Sequence, residues 1–111
     1  MADSNQFDLV CTGKITLGDR NGQMETFRLS VDLTRKLYAY NRKSSHPIQS
    51  VASDKIVFED HEADGDQNHF WVLRGDGHFV RGNKSTVLNA VEFVSGSCDA
   101  APFTEFLPNK F

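Results

Sequence analysis

The sequence predicts an all-β fold: a small antiparallel barrel or sandwich of seven to eight strands, with an extended C-terminal strap. Three observations predict it. Apolar and polar residues alternate with a period of two along most of the chain. Turn signals recur roughly every 8–12 residues, Asn21-Gly22 and Gly75-Asp76-Gly77 foremost. No long stretch carries a helical period, and the short connections favour a meander.

The elements follow in order. Phe7, Leu9, Cys11, Gly13 and Ile15 alternate with polar neighbours and read as a long first strand. Gly13 within it signals a bulge or a sharp bend. Asp19-Arg20-Asn21-Gly22 is a hairpin turn, because Asn and Gly both tolerate positive φ. Phe27, Leu29, Val31 and Leu33 form the cleanest strand. A turn at Thr34-Arg35-Lys36 leads into a returning strand, Leu37 to Tyr40. Asn41 to Pro47 reads as a loop, Ile48 to Val51 and Lys55 to Glu59 as short strands, and Asp60 to Asn68 as an acidic loop. His69 to Arg74 is apolar on both sides and belongs in the middle of the sheet. After the Gly75-Asp76-Gly77 turn, His78 to Arg81 returns. Thr86 to Val94 fits either period, and its valines favour a strand that ends at Gly96-Ser97-Cys98. The tail from Asp99 holds Pro102, Pro108 and three phenylalanines, so it reads as a strap lying across the core.

The 111 residues and 12.5 kDa suit one domain, expected over residues 7–111 behind a disordered segment 1–6. The longest apolar run, Phe70 to Leu73, is four residues, against the roughly 20 needed for a membrane helix. Twelve basic against fifteen acidic residues leave a net charge of −3, which argues against nucleic acid as partner. Cys11 and Cys98 form no metal-binding spacing. They are either two buried thiols or a disulfide joining the first and last strands. The N-terminus shows no leader, yet a start Met placed before a mature Ala-Asp terminus would look the same. A periplasmic or secreted location is therefore expected, with the cytoplasm as the alternative.

Phe7-Asp8-Leu9-Val10-Cys11-Thr12-Gly13, Val31-Asp32-Leu33, Arg74 and Gly77, and the ending Gly96-Ser97-Cys98 with Pro102-Phe103-Thr104-Glu105-Phe106 together resemble a group of small uncharacterised bacterial proteins. The resemblance runs over about Phe7 to Phe111. It implies one small domain and export from the cytoplasm, and it brings no catalytic residue, ligand or cofactor.

Several segments are candidates for chemistry. Asp60, Glu62, Asp64 and Asp66 stand at alternate positions with Gly65 among them, the spacing by which carboxylates converge on a divalent cation. The match stops at Trp71, where a calcium loop places its bidentate Glu. His46, His61, His69 and His78 form no paired motif. Arg35, Lys36, Arg42 and Lys43 surround Tyr38 and Tyr40, either to meet an anionic partner or to guard a sheet edge. Arg74-Gly75-Asp76 and Asn83-Lys84-Ser85 spell an adhesion tripeptide and a glycosylation acceptor, both explained without those roles by turn chemistry and chance. No nucleophile-elbow, phosphate-loop or zinc-protease motif occurs. The expectation is a non-catalytic binding module without cofactor, its ligand seated near Tyr38, Tyr40 and Trp71. The alternatives are an interaction or inhibitor protein using the acidic segment 59–68, and a weak divalent-metal binder at Asp60, Glu62, Asp64 and Asp66.

Overall fold

Alternation decides which side of each strand is buried. In the first strand, β1 (Gln6–Leu17), the side chains of Leu9, Cys11 and Ile15 point inward and are buried. They meet Phe27, Leu29 and Val31 of β2 (Met24–Asp32) across an antiparallel ladder. The connection between them runs over residues 18–23, with Gly18 at φ 99°, Gly22 at φ 92° and the Gly22 N–H on the Ile15 carbonyl. Asn21 is not at positive φ, so this is a longer turn than the two-residue hairpin that Asn-Gly signals. The computed structural model describes residues 5–41, 43–86 and 90–106.

The remaining strands are β3 (Leu37–Tyr40), β4 (Ser45–Pro47), β5 (Ser50–Val51), β6 (Lys55–Ala63), β7 (Asp66–Leu73), β8 (His78–Ser85) and β9 (Ala90–Ala101). All pair antiparallel in one sheet of order β4-β3-β2-β1-β9-β8-β7-β6-β5. The order is that of a meander whose first and last strands pair at the centre. The sheet curls, because residues of non-neighbouring strands meet inside it. The Phe27 ring lies 5.9 Å from that of Phe70 on β7, and Tyr38 lies 4.8 Å from Phe58 on β6. The two edges, β4 and β5, are joined by Ile48-Gln49 alone. The Ile48 N–H bonds Lys36 O at 2.8 Å and the Gln49 N–H bonds Val57 O at 3.0 Å, so this link draws both edges together. The result is a curled half-barrel around an apolar interior.

The all-β class and the antiparallel meander are as the sequence predicts. His69 to Leu73 lies in an interior strand, third from the β5 edge, while β9 and β1 take the centre that the sequence predicts for it. Nine strands replace seven or eight because segment 45–51 splits between the two edges. His46-Pro47 therefore lies in a strand rather than a loop. Proline is tolerated there because one side of an edge strand has no ladder to complete. Gln6 opens β1, and Asn5 O accepts the Leu33 N–H at 2.7 Å, so order begins before residue 7. Residues 1–4 of the expected disordered segment lie outside the described residues. The strand expected over 86–94 is present from Ala90, and residues 87–89 lie outside the described residues. It runs past Cys98 to Ala101.

The strap is extended over 102–106, and its last residues, 107–111, are outside the described residues. It does not cross the apolar interior. It lies on the opposite, outer face of β1 and β2, where the Thr104 N–H bonds Asp8 Oδ1 at 3.0 Å and Arg28 reaches Pro102 O at 3.3 Å. Polar alternation explains this: Asp8, Ser30 and Asp32 point outward, and all three are buried there.

Gly13 makes no bulge. It holds register between Glu25 and Gly96, and the irregularity falls two residues later, between Ile15 and Leu17. What requires glycine is close approach. A Cβ on Gly96 would stand 2.0 Å from Thr12 O and 2.5 Å from Gly13 Cα, and one on Gly13 would stand 2.6 Å from the Phe79 ring. The obstacle at Gly96 is backbone, which can yield only by parting β1 from β9. Gly96→Ala is expected to destabilise the protein by about 2–3 kcal/mol. A urea midpoint within a few tenths molar of wild type would sink this account of the glycine pair.

Candidate functional site

One end of the curled sheet is open, and alternation on five strands decides what lines it. On β8, Phe79 points into the core, so Arg81 and Asn83 follow on the same side. On β6, Glu59 and His61 face Phe70 and Asn68 across the ladder. Tyr38 and Tyr40 come from β3, and His46 from β4. These residues surround a cavity of about 660 Å³ whose floor is formed by Tyr38, Phe58 and Phe70. Successive floor rings are 4.8 Å apart, giving one continuous aromatic wall.

Arg81 is held rigidly at one side. Its Nη1 donates to Tyr40 Oη at 2.7 Å and its Nη2 donates to Glu25 Oε2 at 2.5 Å. The Tyr40 hydroxyl donates in turn to Glu25 Oε1 at 3.1 Å, closing a triangle. The guanidinium sits 5.2 Å from the Phe27 ring centroid and 5.7 Å from that of Tyr40. Its Nε is buried without a hydrogen-bond partner among the described residues. Burial, with the nearby Glu59 carboxylate, pushes the Tyr38 hydroxyl up to about 12. Burial also raises Tyr40, against the pull of Arg81. Both phenols are therefore neutral at ordinary pH and can donate as well as accept. The side chains of Glu59, His46, His61 and Asn83 hydrogen-bond to no described residue. The mouth thus combines an apolar floor with polar groups whose bonding capacity is unspent.

The residues singled out in the sequence divide. Tyr38 and Tyr40 line the cavity together. Trp71 does not join them. Its neighbours Phe70 and Val72 point inward and are buried, so it stands on the outer face, with Lys55 5.4 Å from its ring centroid and His69 at its edge. The expected acidic loop is instead the β6–β7 hairpin, turning at Asp64 and Gly65. Pairing separates its carboxylates. Asp60 holds His69 Nδ1 at 2.7 Å, and Asp66 accepts from the Thr86 N–H at 2.7 Å. Among the described residues no three His, Cys, Asp or Glu groups gather as metal ligands, so Asp60, Glu62, Asp64 and Asp66 do not converge. His46 and His61 reach the cavity while His78 lies exposed at a strand end. Arg35 turns to the outer face, where it holds Asp32 and Glu105, and so leaves the basic cluster around the tyrosines. Arg42 lies outside the described residues.

The sequence reading assigns neither Arg81 nor Asn83 to a ligand site, although a signal exists: they share the parity of Phe79. A hollow of about 820 Å³ between the β1–β2 turn and the ends of β8 and β9 lacks an aromatic floor, and its ion pair Arg20–Glu92 closes on itself at 2.8 Å. No family model matches the chain, and no curated protein or solved structure matches it significantly. The functional reading rests on the geometry of the mouth.

Proposed function

We propose that the protein is a binding module that seats a small ring-bearing molecule in the open mouth of its half-barrel. The single observation that carries this reading is the cavity of about 660 Å³, where an aromatic floor lies beside Glu59, His46, His61 and Asn83, whose side chains hydrogen-bond to no described residue. The volume falls in the range of small-molecule sites, roughly 300–1,000 Å³. The Arg81–Glu25–Tyr40 triangle supports it, because a pinned guanidinium keeps one wall in shape before any ligand arrives. The Cys11–Cys98 bridge supports a periplasmic or secreted home, since such bonds persist in oxidising compartments.

The test is a titration with p-cresol followed by amide NMR. Shifts are expected to concentrate on Tyr38, Tyr40, Phe58, Phe70 and Asn83, with affinity in the millimolar range of fragments. Asn83→Trp, which fills the mouth from an exposed lining position, is expected to abolish them. Shifts confined to the outer face around Trp71, or none, would overturn the reading.

A second reading has its own observation. Asp60, Glu62 and Asp64 stand exposed along one hairpin, an acidic edge that suits a basic protein partner by charge steering.

A further inference from the structure

The charges around the mouth are not balanced, and the imbalance selects a ligand class. Among the described lining residues Arg81 is the one permanent cation. Its charge is already met by Glu25, through a 2.5 Å ion pair in which both side chains are largely buried. Glu59 is different. It is half-buried, it faces Phe70 across the ladder, and its carboxylate has no cationic or hydrogen-bonding partner among the described residues. It stands close enough to Tyr38 for its charge to act on the phenol. The wall beside it is the run of Tyr38, Phe58 and Phe70, whose ring faces carry negative potential. An unspent carboxylate beside a run of mutually tilted aromatic rings is an arrangement that attracts an organic cation. An anion would find the Arg81 charge already met by Glu25, and Glu59 repelling it.

We infer that the mouth recognises an organic ammonium compound, with Glu59 pairing the ammonium and the rings of Tyr38, Phe58 and Phe70 taking the attached apolar portion. The inference rests on the binding-module reading and narrows it to a charge class. His46 and His61, which also line the cavity, offer ring nitrogens to the ligand's polar substituents.

Three probes share one phenol ring and differ in charge: tyramine, p-cresol and 4-hydroxyphenylacetate. Titrated into the full chain at neutral pH and followed by amide NMR, tyramine is expected to bind about tenfold more tightly than p-cresol. The acid is expected to bind more weakly than either. Glu59→Gln, which keeps shape and removes charge, is expected to erase the tyramine advantage over p-cresol, with amide dispersion reporting that the fold is intact. Equal binding of all three probes at the mouth would overturn the charge inference and leave the binding-module reading standing. A tyramine preference that survives Glu59→Gln would overturn the role of Glu59. If no probe perturbs the mouth residues, both readings fall.

Discussion

Replacing Cys11 and Cys98 together by alanine is expected to cost roughly 4–5 kcal/mol of folding stability. The two residues are direct cross-strand partners on β1 and β9, the pair of strands that joins the beginning of the meander to its end. Their bridge spans a sequence separation of 87. In the chain-entropy argument, removing so long a closed loop from the unfolded ensemble accounts for an effect of this size. Both sulfurs lie in a packed interior, Cys11 fully buried and Cys98 nearly so, and truncation to alanine adds a smaller loss of contacts. For a domain of this size the change corresponds to a fall in Tm of about 15–20 °C. Thermal and urea unfolding of wild type, oxidised and reduced, alongside the double variant would measure it. Reduced wild type should approach the double variant. If the three curves coincide within about 1 kcal/mol, the bridge does not govern the closure of the sheet.

The meander and its strands were legible because they are written in local chemistry: the period of two, Asn-Gly, Gly-Asp-Gly, and valine-rich runs. What was not legible depended on partners distant in sequence. Glu59 to Asn68 reads as an acidic loop because five carboxylates in eight residues suggest a solvated segment. In the fold the same residues alternate across a hairpin, with Glu59 and His61 inward and Asp60 and Glu62 outward. Gly13 reads as a bend, yet its cause is distant in sequence: a Cβ there would meet the Phe79 ring and the Ser95 carbonyl. Of the expected aromatic site, two members came together and the third did not. Tyr38 and Tyr40 sit two apart on one strand, so they necessarily share a face. Trp71 lies on another strand, and its side is fixed only by the burial of Phe70 and Val72 beside it. Arg81 does not stand out in the sequence, because a charged residue in a strand usually marks the solvent side. Here Glu25, Tyr40 and Phe27 from a different part of the chain neutralise and stack it.

Lowering the pH from 5 to 2 is expected to weaken the protein chiefly through two outward-facing aspartates beneath the C-terminal strap. Burial would push the Asp32 carboxyl up. Hydrogen bonds from Gln6 and from the backbone and side chain of Arg35 outweigh burial and hold it at about 2, below the ordinary 3.8. Asp8 is likewise lowered against its own burial, by the Thr104 N–H, by Arg28 and by the hydroxyls of Thr104 and Ser30. A carboxylate that titrates lower in the folded chain than in the unfolded one stabilises the fold above the unfolded value. That contribution is complete by about pH 5 and disappears as the pH falls through the folded value near 2. For Asp32 it amounts to about 1–2 kcal/mol once solvent screening by its exposed partner Arg35 is allowed for. Asp8→Ala at neutral pH removes more. It leaves the partly buried Thr104 N–H and the Arg28 Nε without their acceptor, a loss of about 2–3 kcal/mol. The expected signature is local as well as global: hydrogen exchange at the Thr104 amide should accelerate in Asp8→Ala far more than at core amides of β2. Asp32→Asn should flatten the acid limb of the stability profile while leaving that amide protected. An Asp8→Ala variant whose Thr104 amide exchanges as slowly as wild type would show that the strap is held by something other than this carboxylate. An unchanged acid limb in Asp32→Asn would place the proton uptake elsewhere.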